Sequence, residues 1–347
     1  MDEFVDFITL EISDSSTVPK YKQIADSIEA KVERGSIRRG QKLPSINQLS
    51  TYYLLSRDTV EKAYAELKNR KLITSTRGLG YYISNSLPET QLKVLVLFNK
   101  LSAYKKEIYN SMALNLSGKA NLNLHVYHCD FKIFKDILLS NLEGFHYYVI
   151  MPHFSDYDPD ELKELLNQVP EEKLIILDHK PSGLDRYFGC ICQNFIEDIF
   201  EALTEAKELL AKYERLTLIF PDNNTYPYPK EIIQGFSKFC QFNSFPYDIV
   251  ASVDEIDVLK NGEVYVLISE SDLARLIKRA RLAKFNIGRD IGILSYNDTE
   301  LKEVLENGIT VMSTNFSEMG LLASKVILDT QPLHHKNDFK LILRNSL

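Results

Sequence analysis

Leu43-Pro44-Ser45, Ser56-Arg57-Asp58-Thr59-Val60 and Arg77-Gly78-Leu79-Gly80-Tyr81-Tyr82-Ile83 follow one another within 41 residues of a 347-residue chain. Leu43-Pro44-Ser45 opens a short apolar-periodic helix, which breaks at Leu54-Leu55. Ser56 then caps a second helix, its hydroxyl meeting a free N–H of the first turn. Val60, Ala63, Tyr64 and Leu67 recur at i, i+3, i+4 and i+7, the spacing of a buried stripe. That stripe leaves Arg57 and Lys62 facing outward with Asp58 and Glu61. Leu72-Ile73 leads into a hairpin, where Gly78 and Gly80 permit positive φ at the tip. The reading is helix, tight turn, helix, two-stranded wing. Arg57, Asp58 and Thr59 fall in a first turn whose free donors and dipole favour phosphate. Beside a basic hairpin, such a turn suits a duplex backbone and a groove edge. A Ser-Arg helix start or a Gly-x-Gly taken alone is common in ordinary domains; order and spacing carry the reading.

Pro19-Lys20-Tyr21-Lys22-Gln23-Ile24-Ala25, Gly35 and Gly40 precede this stretch. Together, over about 65 residues, they resemble the winged-helix domain of GntR-type transcription regulators. The resemblance implies DNA contacts from Ser45, Asn47, Ser56, Arg57, Asp58, Thr59, Arg77 and Gly78. Two positions depart from the pattern. Ile46-Asn47 stands where many members have an acidic-then-basic pair, and Glu61 stands where a further basic residue is common. Asn47 can still bond a phosphate or an adenine edge, whereas Glu61 is expected to face away or to tune base choice.

Charge is distributed unevenly. The whole chain carries −7, yet residues 17–86 hold 13 Lys or Arg against 6 Asp or Glu. The first 16 residues hold five acidic and no basic residues, which leaves −9 for residues 87–347. Nucleic-acid binding needs a local basic patch, and an acidic remainder disfavours indiscriminate sticking. No apolar run approaches a membrane span. The acidic start, Met1-Asp2-Glu3-Phe4, is unlike a signal peptide, so the expected location is the cytoplasm. Cysteines stand at 129, 190, 192 and 240. Cys190-Ile191-Cys192 alternates as a strand does, and no Cys/His spacing suits zinc. Reduced, buried thiols are expected, with no metal and no cofactor.

The polar stretch 84–91 contains a Pro and reads as an inter-domain boundary. The expected domains are a winged-helix unit over 1–86, a linker at 87–91 and an effector-binding and dimerisation unit over 92–347. Beyond the boundary, short apolar runs at 94–98, 122–127, 147–151, 174–177, 216–220, 264–268 and 291–294 alternate with amphipathic stretches. The amphipathic stretches lie at 104–116, 159–168, 196–213, 231–242 and 271–284. Such alternation predicts parallel sheets covered by helices, in two α/β lobes. Ligands in these sheets sit beyond the carboxyl ends of strands. Here those ends read Phe98-Asn99-Lys100, Met151-Pro152-His153, Asp178-His179, Pro221-Asp222-Asn223, Ser269-Glu270 and Tyr296-Asn297-Asp298. Any one of these is as readily a turn; as a set they suit a small polyhydroxylated ligand.

Leu177-Asp178, Gln193-Asn194 opening a long helix, and Leu216–Phe220 followed by Gly235-Phe236 resemble the effector domain of LacI-type repressors. Ile291-Gly292-Ile293-Leu294-Ser295-Tyr296-Asn297-Asp298-Thr299 followed by Gly308-Ile309-Thr310-Val311 does too. The fold implied is an N-terminal winged helix-turn-helix (α+β) followed by a two-lobed α/β periplasmic-binding-protein-like (type I) domain. The resemblance implies a cleft between lobes joined by three crossovers, with dimerisation through the lobes. By position, Asp178 and Asn297 would bind sugar hydroxyls, with Phe98, Asn99, Ser269 and Thr314 at the pocket edge. Many relatives have an Arg three residues before the Gly-Phe pair, where this chain has Ile232. That leaves the ligand anchor absent, or supplied by Lys230 or another loop.

A GntR-type reader joined to a LacI-type sensor resembles bacterial arabinose repressors. The implied mechanism is a homodimer on a pseudo-palindromic, double-stranded operator. A monosaccharide such as L-arabinose or L-fucose would turn the lobes and release the DNA. A nucleoside or other small metabolite is the alternative effector. An aminotransferase-like enzyme half would need a Schiff-base lysine in a Ser-rich context and a longer chain. A dimerisation module with an empty cleft is the remaining possibility. No catalytic residues are expected.

Overall fold

The computed structural model of the chain describes residues 10, 12–13, 16–33, 37–38, 40–76, 79–84, 91–222 and 227–347. Contacts divide the chain into two compact units, Met1–Gln91 and Leu92–Leu347.

In the first unit, α1 (Lys20–Glu33), α2 (Ile46–Tyr52) and α3 (Arg57–Asn69) precede β1 (Ile73–Thr76) and β2 (Gly80–Ile83). The strands pair antiparallel, from Ile73 opposite Ile83 to Thr76 opposite Gly80. Residues 41–43 run along the other edge of β2. Ile83 N donates to Gln41 O at 2.9 Å, and Leu43 N donates to Tyr81 O at 2.8 Å. This third edge has no apolar alternation and was not legible in the sequence. Val60, Ala63, Tyr64 and Leu67 of α3 are all buried, against Ile24, Ile28, Leu43, Leu49, Ile73 and Ile83. Tyr64 fixes α3 in two directions. Its hydroxyl donates to Pro44 O at 2.7 Å, and its ring meets Tyr81 of β2 edge-on at 4.8 Å. The α2–α3 turn passes through Leu54 at φ +52°.

In the second unit, β3 (Leu92–Phe98), α4 (Ala103–Asn115), β4 (Ala120–Val126), α5 (Phe131–Ser140), β5 (Tyr147–Ile150), α6 (Pro159–Leu166), β6 (Leu174–Asp178) and β7 (Gly189–Cys192) build the first lobe. The chain then crosses to the second lobe: α7 (Phe195–Glu205), α8 (Lys207–Leu210), β8 (Arg215–Ile219), α9 (Glu231–Phe242), β9 (Tyr247–Val250), β10 (Glu263–Leu267), α10 (Glu270–Leu282), β11 (Gly292–Tyr296), α11 (Glu300–Val304) and β12 (Thr310–Thr314). It returns as α12 (Phe316–Asp329) and β13 (Leu333–Lys336), and crosses once more to β14 (Phe339–Ile342). Each lobe is one six-stranded sheet, ordered β13-β7-β6-β5-β3-β4 and β14-β12-β11-β10-β8-β9. All neighbours named in these sheets are parallel except β14, which runs antiparallel to β12.

The three crossings fall at Gln193-Asn194, at Asn315 and between Asn337 and Asp338. Asn337 ties the last two together. Its Nδ2 donates to Thr314 Oγ1 at 2.8 Å and to Asn315 O at 3.0 Å, while Asn315 N donates to Asp338 O at 2.9 Å. Two helix pairs pack at backbone contact. A Cβ on Gly320 of α12 would strike the carbonyl oxygen of Ile108 in α4, and one on Gly235 of α9 would strike that of Ile196 in α7.

The helix read at 196–213 is divided at Ala206 into α7 and α8. Among the described residues no helix is long and apolar enough to cross a membrane. The four cysteines are free thiols.

Candidate functional site: a helix-turn-helix surface and an interlobe cleft

The polar residues at the starts of α2 and α3 are exposed or half-buried. Ser45 caps α2 in a capping box: its hydroxyl accepts from Gln48 N at 3.2 Å, and Gln48 Oε1 accepts from Ser45 N at 2.8 Å. Asn47, one residue into the helix, is exposed. Ser56 caps α3, accepting from Thr59 N at 3.2 Å, and its hydroxyl lies 2.7 Å from Thr59 Oγ1. Arg57 is exposed and pairs with Glu61 at 3.0 Å, while Asp58 pairs with Lys62 at 2.8 Å. Glu61 therefore faces the same solvent as Arg57. Gly80 has φ +109°, as the hairpin reading requires. Arg77 and Gly78 lie outside the described residues.

The second site is the cleft between the lobes of the second unit. From the first lobe it is lined by Asn99, Lys100, Tyr104, Lys105, His153 and Asp178; from the second by Tyr228, Ile232, Tyr296 and Asn297. Gln193 and Phe316, beside two of the crossings, complete the wall. The cavity is narrow, about 50 Å³. Side chains meet across it, with Lys100 Nζ 5.3 Å from the Tyr228 ring centroid; outside this cavity, His179 Nε2 lies 3.7 Å from Glu231 Oε1.

Asp178 is the hub of the first lobe. It ends β6 with φ +73°, a left-handed conformation that Asp and Asn tolerate better than other side-chain-bearing residues. Its Oδ2 lies 2.7 Å from His153 Nε2, and its Oδ1 accepts from Gln193 Nε2. Burial pushes the carboxyl up, but His153, Lys105 and Gln193 outweigh it and hold Asp178 below the usual carboxylate range. Burial also lowers His153, against the pull of Asp178. The lowered value favours the neutral ring, whose Nε2 faces the carboxylate. Lys105, 4% exposed, is pushed down to about 8 by burial, and its ammonium donates to Asn99 Oδ1. Burial lowers Lys100 as well.

Asn297 sits in the second lobe just past β11, where it too is left-handed, with φ +59°. Lys302 Nζ donates to Tyr296 O at 2.9 Å and Asn297 O at 2.6 Å, which holds the backbone in place. The Asn297 side chain is unlike that of Asp178: its Oδ1 is buried and has no hydrogen-bond partner.

Of the six effector positions read from the sequence, the structure brings Asn99, Asp178 and Asn297 into the cleft. The other three are placed elsewhere. Phe98 points into the core of the first lobe, because strand alternation turns it away where Asn99 turns in. Ser269 caps α10, accepting from Asp272 N at 3.1 Å and donating to Asp272 Oδ2 at 2.5 Å. Thr314 is spent on the crossing, accepting from Asn337 and donating to Asp338 O at 3.0 Å. Lys230 is exposed and outside the cleft lining, so the position held by Arg in relatives is filled by the apolar Ile232. The cationic groups of the cleft are Lys100 and Lys105. Sequence reasoning missed Lys105, since one Lys in an amphipathic stretch reads as a solvated face.

Residues 20–83 match the family described as bacterial regulatory proteins, gntR family. The N-terminal unit is a GntR-type helix-turn-helix domain. The repressor YtrA of Bacillus subtilis is 36% identical over 81 residues, 23% of this chain and 62% of that protein. The arabinose metabolism transcriptional repressor of Geobacillus stearothermophilus is 29% identical over 76 residues, 22% of this chain and 21% of that protein. These matches cover less than two thirds of each relative. Beyond the GntR-type domain the likeness is one of fold. The structure of a CelR–cellobiose complex superposes with TM-score 0.59 at 13% identity, covering 88% of this chain and all of that one. A dimeric Lac repressor lacking 11 C-terminal residues gives 0.60 at 12% identity, covering 74% and 98%. The second unit therefore has the two-lobed fold of LacI-type regulators, and its parallel sheets replace the aminotransferase alternative. The relatives and structural neighbours named here are transcription regulators.

Proposed function

We propose that the chain is a sequence-specific, DNA-binding transcriptional repressor whose operator affinity is set by a small sugar-like effector held between the two lobes. The observation that carries this reading is the pairing of a GntR-type domain with a cleft in which both lobes end a strand in a left-handed Asx residue. Residues held in unusual backbone conformations cluster where ligands bind, because each costs of order 1–3 kcal/mol that the surroundings must offset. Two such residues facing one cavity, with Tyr104, Tyr228 and Tyr296 beside them, suit a ring with several hydroxyls.

On DNA, Arg57 and Thr59 at the start of α3 would meet base edges and phosphates, and Ser45 and Asn47 the flanking backbone. Asp58 and Ser56 set the start of the helix, and Arg77 and Gly78 would extend the contact through the wing. A homodimer would place two such helices on a pseudo-palindromic duplex. Effector binding biases one arrangement of the lobes, with a coupling of roughly 1–3 kcal/mol.

The test is to select a binding duplex from a random library with the intact protein, then titrate sugars, sugar acids, sugar phosphates and nucleosides. An effector at a hundred times its Kd stabilises the protein by about 2.7 kcal/mol and changes duplex affinity. Arg57→Ala should weaken the selected duplex by about 1–3 kcal/mol. Unchanged affinity in that variant would remove α3 from the role of reading helix.

A further inference from the structure

We propose that the effector carries an acidic group, a carboxylate or phosphate, seated on Lys105 in the first turn of α4 with Lys100 beside it. This rests on the reading of the cleft as the effector site and narrows the ligand from neutral monosaccharides to acidic ones.

Lys105 lines the cavity and is 4% exposed. An ammonium carries three donors, yet among the described residues its hydrogen-bond acceptor is a single amide oxygen, Asn99 Oδ1. Among those residues no carboxylate lies within ion-pair distance of its Nζ. Taking an ammonium out of water without a counter-charge is expensive even after relaxation. Asp178 is near enough to act through space, but its two oxygens are engaged by His153 and Gln193. Among the described residues Lys105 thus has no carboxylate of its own, and the nearby one is already used by the protein itself.

The helix adds to the imbalance. Lys105 belongs to the first turn of α4, a 13-residue helix whose N-cap Ser102 gives the turn no side-chain bond. Free N–H groups and the positive end of the dipole favour an anion there. Across the cavity, the partnerless Asn297 Oδ1 is an acceptor for a hydroxyl. The two walls together describe one ligand: an acidic group toward α4, hydroxyls toward β11, and a ring near Tyr104 and Tyr228. A neutral sugar could accept a hydrogen bond from Lys105 but would leave its charge uncompensated.

The experiment is calorimetric titration of the intact protein with matched sets: glucose, glucuronate and glucose 6-phosphate, the corresponding galactose and arabinose compounds, and inorganic phosphate. The expected result is that binding is confined to acidic members, at least a hundredfold tighter than the neutral sugar of the same set. Phosphate esters and sugar acids appear as separate arms, so the source of the charge is read directly. Lys105→Met should abolish the preference for the acidic partner. If that variant does not fold, the wild-type pH profile decides. Lys100, Cys129, His153 and Asp178 surround the Lys105 ammonium; above pH 7 His153 is neutral and Asp178 ionised, so neither titrates further. Raising the pH above 8 should then weaken the acidic ligand up to tenfold per unit and leave a neutral one unaffected. A neutral sugar that binds as tightly as its acidic partners, with no loss in Lys105→Met, overturns the proposal and leaves the sensor reading intact. Silence from every compound overturns both.

Discussion

The charged residues of the cleft and those at the start of α3 are wired in opposite ways. In the cleft, Asp178 and His153 are each about 10% exposed at the side chain and share a 2.7 Å bond, with the buried Lys105 nearby. On α3, the Arg57–Glu61 pair is 68% and 48% exposed, and Lys62–Asp58 is 62% and 72% exposed. Water screens the second set, so exposed i,i+4 pairs contribute only about 0.3–0.5 kcal/mol. The first set has given up its hydration and depends on every partner. Cleft charges are therefore committed to the fold, whereas helix charges are held only loosely.

Asp178→Ala should have the largest effect on stability. It leaves His153 without its acceptor and Lys105 without the nearby negative charge, and a buried polar group stripped of its partner costs about 1–3 kcal/mol, more where the group is charged. Urea unfolding measures the loss, and the effector response should vanish with it. A variant within experimental error of wild type would show that the Asp178 network is as cheap as the surface pairs, and the contrast would fail.

Acid should separate the two sets next. The folded-state value of His153 is lowered, so the native protein keeps it neutral while the unfolded chain titrates near 6.5. Below that pH the unfolded state binds a proton that the native state refuses, and stability falls. Asp178, held below the carboxylate range, keeps its contribution until the pH is far lower. Between pH 7.5 and 5.5 the wild type should lose stability, and His153→Gln should lose less. Equal slopes would mean that His153 is already charged in the folded protein.

Asn297 is the exception within the cleft. Its buried Oδ1 has no partner, and its backbone is left-handed at φ +59°. Asn297→Gly relieves the backbone and removes the unmatched group, at the entropic cost of a freer unfolded chain. Stability should stay within about 1 kcal/mol of wild type, while effector affinity falls. Loss of stability on the scale of Asp178→Ala would mean that the asparagine side chain supports the fold and not the ligand.

These differences also explain what the sequence could reveal. The buried face of α3 is a local pattern: Val60, Ala63, Tyr64 and Leu67 share one helix, and one periodicity places all four. The parallel strands were legible because β3, β5, β6, β10 and β11 are buried along nearly their whole length. Strand β13, reading Leu-His-His-Lys with alternating exposure, gave no such signal. In the cleft, one residue of strand parity separates Asn99 from Phe98. The burial of Lys105 arises only when α4 is laid against strands far from it in sequence. No window of residues contains that information.

Glu61→Gln is the smallest change worth measuring. Glu61 holds Arg57 Nε at 3.0 Å, so the arginine proposed to meet DNA is already engaged. Releasing it removes a pair worth about 0.3–0.5 kcal/mol and takes one negative charge away from approaching phosphates. Affinity for the selected duplex should rise roughly twofold in low salt, the equivalent of that energy, with the gain shrinking as salt screens the pair. A gain that persists at high salt would mean that Glu61 was excluding a base and not tethering Arg57. A loss would mean that Glu61 itself accepts from a cytosine edge, which carboxylates can do in the major groove. Either result would place Glu61 among the residues that choose the operator.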